Sequence, residues 1–70
     1  MTQMNRFFFN GQQYYIKQTI SLFDLLNYFN YKESLLVIEY NNKICNQKNW
    51  KKIFIKNNDK IEIVTIVGGG

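Results

Sequence analysis

Asn10-Gly11 stands between two aromatic-rich runs, Phe7-Phe8-Phe9 and Tyr14-Tyr15-Ile16. No other short stretch of the chain narrows its possible folds as much. A tight two-residue hairpin turn needs positive φ at both central positions, and Asn and Gly are the residues that tolerate it. The stretch therefore predicts two antiparallel strands over about 4–9 and about 12–17. Alternation puts Phe7 and Phe9 on one face, with Tyr14 and Ile16 as inward partners. Phe8 and Tyr15 point the other way, so the outer face is partly aromatic too.

The period then changes. Leu22, Leu25, Leu26 and Phe29 have the i, i+3, i+4, i+7 spacing of an amphipathic helix, expected over about 21–31. Ser21 and Asp24 offer a capping-box start, and Thr19 offers a cap one turn earlier. Leu35 to Tyr40 reads as a strand inside the sheet because its apolar run is nearly continuous. Asn41-Asn42 makes a turn, and Lys43-Ile44-Cys45 a short continuation. Asn46 to Trp50 reads as a loop or a single turn in which Trp50 packs down. Ile53-Phe54-Ile55, between Lys51 and Lys56, is expected as a short strand, followed by a turn at Asn57-Asn58-Asp59. The last strand runs from Lys60 to Val67, with Ile61, Ile63, Thr65 and Val67 alternating against Lys60, Glu62, Val64 and Ile66.

Hairpin, helix, strand, turn, short strand and long strand make an α+β domain. The order resembles the ubiquitin-like β-grasp fold, a mixed four- to five-stranded sheet packed on one main helix. The expected organisation is a domain over 1–67 and a flexible glycine tail over 68–70. A chain of 70 residues buries only about 60% of its unfolded surface, so it supports one core and not two.

Composition removes several kinds of chemistry. The chain has no His and a single Cys, Cys45. Histidine acid–base catalysis, a disulfide framework and a cysteine zinc site are therefore not expected. Asp24 and Asp59 sit where helix starts and turns want carboxylates. Glu39 and Glu62 are expected to meet lysines across neighbouring strands. Nine basic against five acidic residues give a net charge of +4, which favours acidic partner surfaces. Only Lys51-Lys52 is paired and Arg occurs once, so a nucleic-acid-binding module is the remote alternative. No apolar run is long enough to span a membrane. Abundant Asn, Lys, Ile, Tyr and Phe, with no Pro, fit an AT-rich coding genome.

The chain closes on Glu62-Ile63-Val64-Thr65-Ile66-Val67-Gly68-Gly69-Gly70. On composition alone, three terminal glycines are a weak signal, better suited to a frayed end or a tag than to a function. A phosphate-cradling loop places its glycines before a helix, and no helix is expected here. Without Cβ atoms, however, the tail suits a narrow channel in a partner enzyme. Val64 and Ile66 are candidates for an apolar docking surface beside it, with Phe8 and Tyr15 as a further exposed aromatic element.

Several segments together resemble the ThiS family, the sulfur carrier proteins of thiamine biosynthesis. They are Phe9-Asn10-Gly11, the Leu22-x-x-Leu25-Leu26 helix, Val37-Ile38-Glu39-Tyr40-Asn41, Trp50, and above all Asn58-Asp59-Lys60-Ile61-Glu62-Ile63-Val64 leading to the glycine tail. A Pro common before the Trp in that family is replaced here by Asn46 or Gln47. The resemblance implies a protein cosubstrate and not an enzyme. Gly70 would be the residue adenylated and converted to a thiocarboxylate (1-thioglycine). Gly69 would be part of the essential tail, with Gly68, Val67 and Ile66 presenting it. The implied partners are a ThiF-type adenylating enzyme using ATP and Mg, a cysteine-derived persulfide sulfur source, and a ThiG-type thiazole synthase. Neither nucleic acid nor membrane is an implied partner. The nearest alternative is the small sulfur-carrying subunit of molybdopterin synthase. The implied location is a plastid stroma for an algal organelle gene, otherwise bacterial cytoplasm.

Overall fold

The computed structural model describes residues 4–31 and 36–66, excepting the side chains of residues 65 and 66. Strands β1 (Asn5–Phe9) and β2 (Gln12–Ile16) form the expected hairpin, with Phe7 opposite Tyr14 and Phe9 opposite Gln12. Asn10 and Gly11 both take positive φ, 51° and 82°, which matches the twist of the two arms. Phe7 and Phe9 are buried, and Tyr14 and Ile16 pack against the same core.

Helix α1 covers Leu22–Tyr28, shorter than the spacing predicts. At its start the Ser21 side chain accepts from the Asp24 amide, and Asp24 accepts from the Ser21 amide, so Ser21 and not Thr19 is the cap. At its end Asn30 adopts φ 65°. The Tyr31 amide then donates to the Leu26 carbonyl at 2.9 Å and the Asn30 amide to the Asn27 carbonyl at 3.0 Å. That pair of bonds closes the helix on a left-handed residue, a role Asn shares with Gly. The apolar stripe runs one residue past the helix proper, since Phe29 stacks on Phe9 with centroids 4.8 Å apart.

Strand β3 (Leu36–Tyr40) turns through Asn41 and Asn42, both at positive φ, into β4 (Lys43–Cys45). A short 3-10 turn over Gln47–Asn49 then delivers Trp50 into the core, where it is 1% exposed. Its indole nitrogen donates to the Cys45 carbonyl at 3.2 Å, so the buried polar atom is satisfied.

Ile53-Phe54-Ile55 does not form a sheet strand. It makes one bridge, Phe54 to Ser21. Its backbone serves the helix start: the Leu22 amide donates to the Ile53 carbonyl and the Ile55 amide to the Ile20 carbonyl, at 2.7 and 2.9 Å. The Phe23 amide, similarly, donates to the Trp50 carbonyl. The orphan amides of a helix N-terminus need acceptors; Ile53 supplies one and Trp50 another, while Ile55 enters the core.

Strand β5 (Lys60–Ile66) is central in a five-stranded sheet of order β2-β1-β5-β3-β4. It runs parallel to β1 and antiparallel to β3. Ile61 and Ile38 meet Leu22, Leu25 and Leu26 of the helix in one buried cluster. A mixed sheet gripping one helix, with the closing strand in the middle, is the ubiquitin-like β-grasp architecture.

Candidate functional site

Strand β5 is the described element nearest in sequence to the glycine tail, and its two ends are held differently. At the entry, Asp59 is 6% exposed and its carboxylate gathers three donors. These are the Tyr40 hydroxyl at 2.5 Å, the Lys56 amide at 2.7 Å and the Asn41 side chain at 3.1 Å. Asn41 returns an acceptor to the Lys60 amide at 2.8 Å. Across the sheet, the Phe8 amide donates to the Asp59 carbonyl and the Asn58 amide to the Arg6 carbonyl. Asp59 is thus structural, as its turn position predicts. Burial, reinforced by the bond to Asp59, raises the pKa of the Tyr40 phenol above its ordinary range.

The far end is built differently. Strand β1 pairs with β5 only at Phe8–Lys60 and Phe9–Ile61, whereas β3 follows β5 out to Ile66. The β3 register shifts on the way: Ile38 faces Ile63, but its neighbour Val37 faces Thr65. Val64 is therefore an extra residue, a β-bulge, and the single alternation expected through Val67 breaks there. Thr65 pairs with Val37, and Ile66 with Leu36.

Among the described candidate docking residues, Phe8 and Tyr15 stand together and Val64 stands apart. Tyr15 is 54% exposed on the edge strand β2, and its hydroxyl accepts from Gln13. Phe8 is half-buried, with the Arg6 guanidinium 5.6 Å from its ring centre. These two are diagonal neighbours, since Tyr15 faces Arg6. Val64 is 50% exposed and lies four residues beyond the Phe8–Lys60 pair, about 13 Å along the strand. The side chain of Ile66, and Val67, Gly68, Gly69 and Gly70, lie outside the described residues.

Two further expectations meet the structure. Glu39 and Glu62, expected to meet lysines, face one another across β3 and β5. Cys45 is half-buried, its thiol is pushed up by burial, and it contacts the Asn46 carbonyl at 3.8 Å. A thiol held in its protonated form is a weak nucleophile. Among the described residues no cluster of His, Cys, Asp or Glu could hold a metal, and no described helix is long and apolar enough to cross a membrane.

What reading the residues misses is the Asn10 side chain. Its Oδ1 accepts from the Ile63 amide at 2.9 Å, across 53 positions of sequence. The Asn-Gly pair explains itself as a turn, which hides this second role.

Fold and site together define a ubiquitin-like β-grasp protein whose central strand is the last of the described elements. The ThiS family profile matches residues 7–70, and the chain belongs to the ThiS family. A crystal structure of the thiamine biosynthesis protein ThiS from Geobacter metallireducens has the same fold. It aligns with a TM-score of 0.76 over 93% of this chain and 99% of that one, at 18% identity. An uncharacterized protein ycf40 of Trieres chinensis is 73% identical over 64 residues, 91% of this chain and 88% of the relative. The ycf40 protein of Porphyra purpurea is 36% identical over 61 residues, 87% of this chain and 86% of its own length. Family membership supports a sulfur-carrier role, in which the protein is a cosubstrate for other enzymes.

Proposed function

We propose that this protein carries sulfur as a thiocarboxylate on Gly70 and delivers it to thiazole formation in thiamine biosynthesis. The observation that carries the reading is the family match, which runs through the terminal glycines to residue 70. A free carboxylate is a poor electrophile because its oxygen leaves badly. Joined to the α-phosphate of ATP with loss of pyrophosphate, it becomes an acyl-adenylate. Hydrosulfide-type sulfur then attacks the acyl carbon and AMP departs, leaving the thiocarboxylate.

The domain's own part is presentation. Gly68 and Gly69 have no side chains to clash inside a partner's channel, and Val67 and Ile66 join that tail to the sheet. Val64, four residues before Gly68 in sequence, is half-exposed. Magnesium, ATP contacts and transition-state stabilisation belong to a ThiF-type adenylating enzyme. Where cysteine-derived persulfide is the sulfur source, its outer sulfur expels AMP to give an acyl disulfide. A second thiol then cleaves that S–S bond, leaving as a disulfide and releasing the thiocarboxylate. A ThiG-type thiazole synthase is the acceptor. Relatives named ycf40 in Trieres, Porphyra and Pyropia, a name given to algal plastid genes, favour the plastid stroma.

The test is intact mass after incubation with a matching adenylating enzyme, ATP, magnesium and sulfide. Replacing oxygen by sulfur adds about 16 Da, and the gain should vanish when Gly70 is deleted. No gain with an enzyme active on its own carrier would overturn the reading.

A further inference from the structure

We propose that Asn10 is a positioning residue for the sulfur-bearing end of the chain: its side chain replaces β1 beside β5 and sets the direction in which β5 leaves the hairpin. The inference rests on the carrier reading above and adds a residue to it.

The ladder itself carries the argument. In a parallel pair each residue of one strand bonds to the residues flanking its partner, so donors and acceptors recur every second position. Along this seam the Phe8 amide donates to the Asp59 carbonyl and the Asn10 amide to the Ile61 carbonyl. The next rung would run from the Ile63 amide to the main-chain carbonyl of Asn10. At that point, however, Asn10 has positive φ and has already entered the hairpin turn. Its side-chain Oδ1 fills the position instead, at 2.9 Å.

One asparagine therefore ends β1, starts the turn and adds one more rung to the ladder. The rung sits where it matters most. Ile63 is the last residue before the Val64 bulge, and among the described residues it is the farthest point along β5 held by the N-terminal hairpin. Beyond it the strand pairs only with β3. If Ile63 is released, β5 can splay from the hairpin one rung earlier. A smaller fraction of molecules then holds the tail in the direction a partner accepts. An affinity that depends on such a fraction weakens in inverse proportion to it, while the bound complex reacts as before.

Two substitutions separate this role from the turn. Asn10→Gly keeps the positive φ and removes the acceptor. Asn10→Asp keeps both. Amide exchange followed by NMR should show the Ile63 amide of Asn10→Gly exchanging about fivefold faster relative to Ile61, the ratio expected for one ordinary hydrogen bond. In the adenylation assay the KM for this chain should rise, by less than that factor, with kcat unchanged. Asn10→Asp should restore both. Equal relative protection in Asn10→Gly would overturn the inference. So would an unchanged KM despite lost protection, or a folded Asn10→Asp that restores neither. Failure of the carrier reading would show separately, in a wild-type chain that is never loaded.

Discussion

The two ends of β5 are held by opposite means. At its entry a buried carboxylate gathers a hydroxyl, a backbone amide and a side-chain amide, and both neighbouring strands engage. At its far end one side-chain oxygen and one neighbouring strand hold what is left, and a bulge intervenes. The difference separates two tasks within seven residues: the entry anchors the strand to the core, and the far end points it. An end that other proteins must grip gains from a firm base and few local commitments, since each hydrogen bond made within the domain has to be broken before a partner can use that group.

Changes at the entry should test this contrast most severely. Asp59→Ala strands three donors at a buried site, and we expect a loss of about 3 kcal/mol in urea-unfolding stability. A loss below about 1 kcal/mol would remove the distinction between the two ends. Tyr40→Phe deletes one of those donors and should cost about 1–2 kcal/mol at neutral pH. It should also change the alkaline limb of the stability curve. Tyr40 ordinarily ionises near 10.0 and is raised in the fold. The folded chain therefore keeps a proton that the unfolded chain releases. This contribution is complete below pH 10.0 and is lost as pH climbs toward the folded value. The Tyr40→Phe chain should lose less stability than wild type over that range, measured by urea titration at stepped pH.

Midway along the strand, Glu62→Lys converts the facing Glu39–Glu62 pair from repulsion to attraction. We expect a gain of about 0.5 kcal/mol, shrinking as salt is added. The smallest effect should come from Val64→Ala at the far end. Half-exposed in a bulge, it should change stability by less than about 0.5 kcal/mol, while adenylation kinetics report whether this residue touches a partner. A large stability cost there would mean that the far end anchors after all.

Much of this fold was legible because its signals are local. Asn10-Gly11 sets the first hairpin, Ser21 and Asp24 the helix start, and Asn41-Asn42 the second turn. The helix end was harder, because Asn30 competes with an apolar stripe that continues to Phe29, and only the left-handed backbone decides. Ile53-Phe54-Ile55 has the composition of a strand. Its backbone partners are the Leu22 amide and the Ile20 carbonyl at the helix start, and no pattern within three residues reveals that. The Val64 bulge was hidden for a related reason: Ile63, Val64, Thr65 and Ile66 are all β-branched, so either phase of alternation reads equally well. The Asn10–Ile63 contact joins residues 53 apart and exists only once the sheet has closed. The glycine end and its chemistry are proposed from family resemblance, whereas the Asn10 role is proposed from the sheet's hydrogen bonds.

Asparagine also performs most of the left-handed turns. Asn10, Asn30, Asn41, Asn42 and Asn58 all adopt that backbone, against Gly11 alone among the described glycines. The chain contains four glycines, and three of them are its last three residues. Nearly all of its bare backbone is thereby gathered into one place, so a protein that recognises carriers by threading an unadorned peptide through a tight bore meets only one such stretch in this molecule.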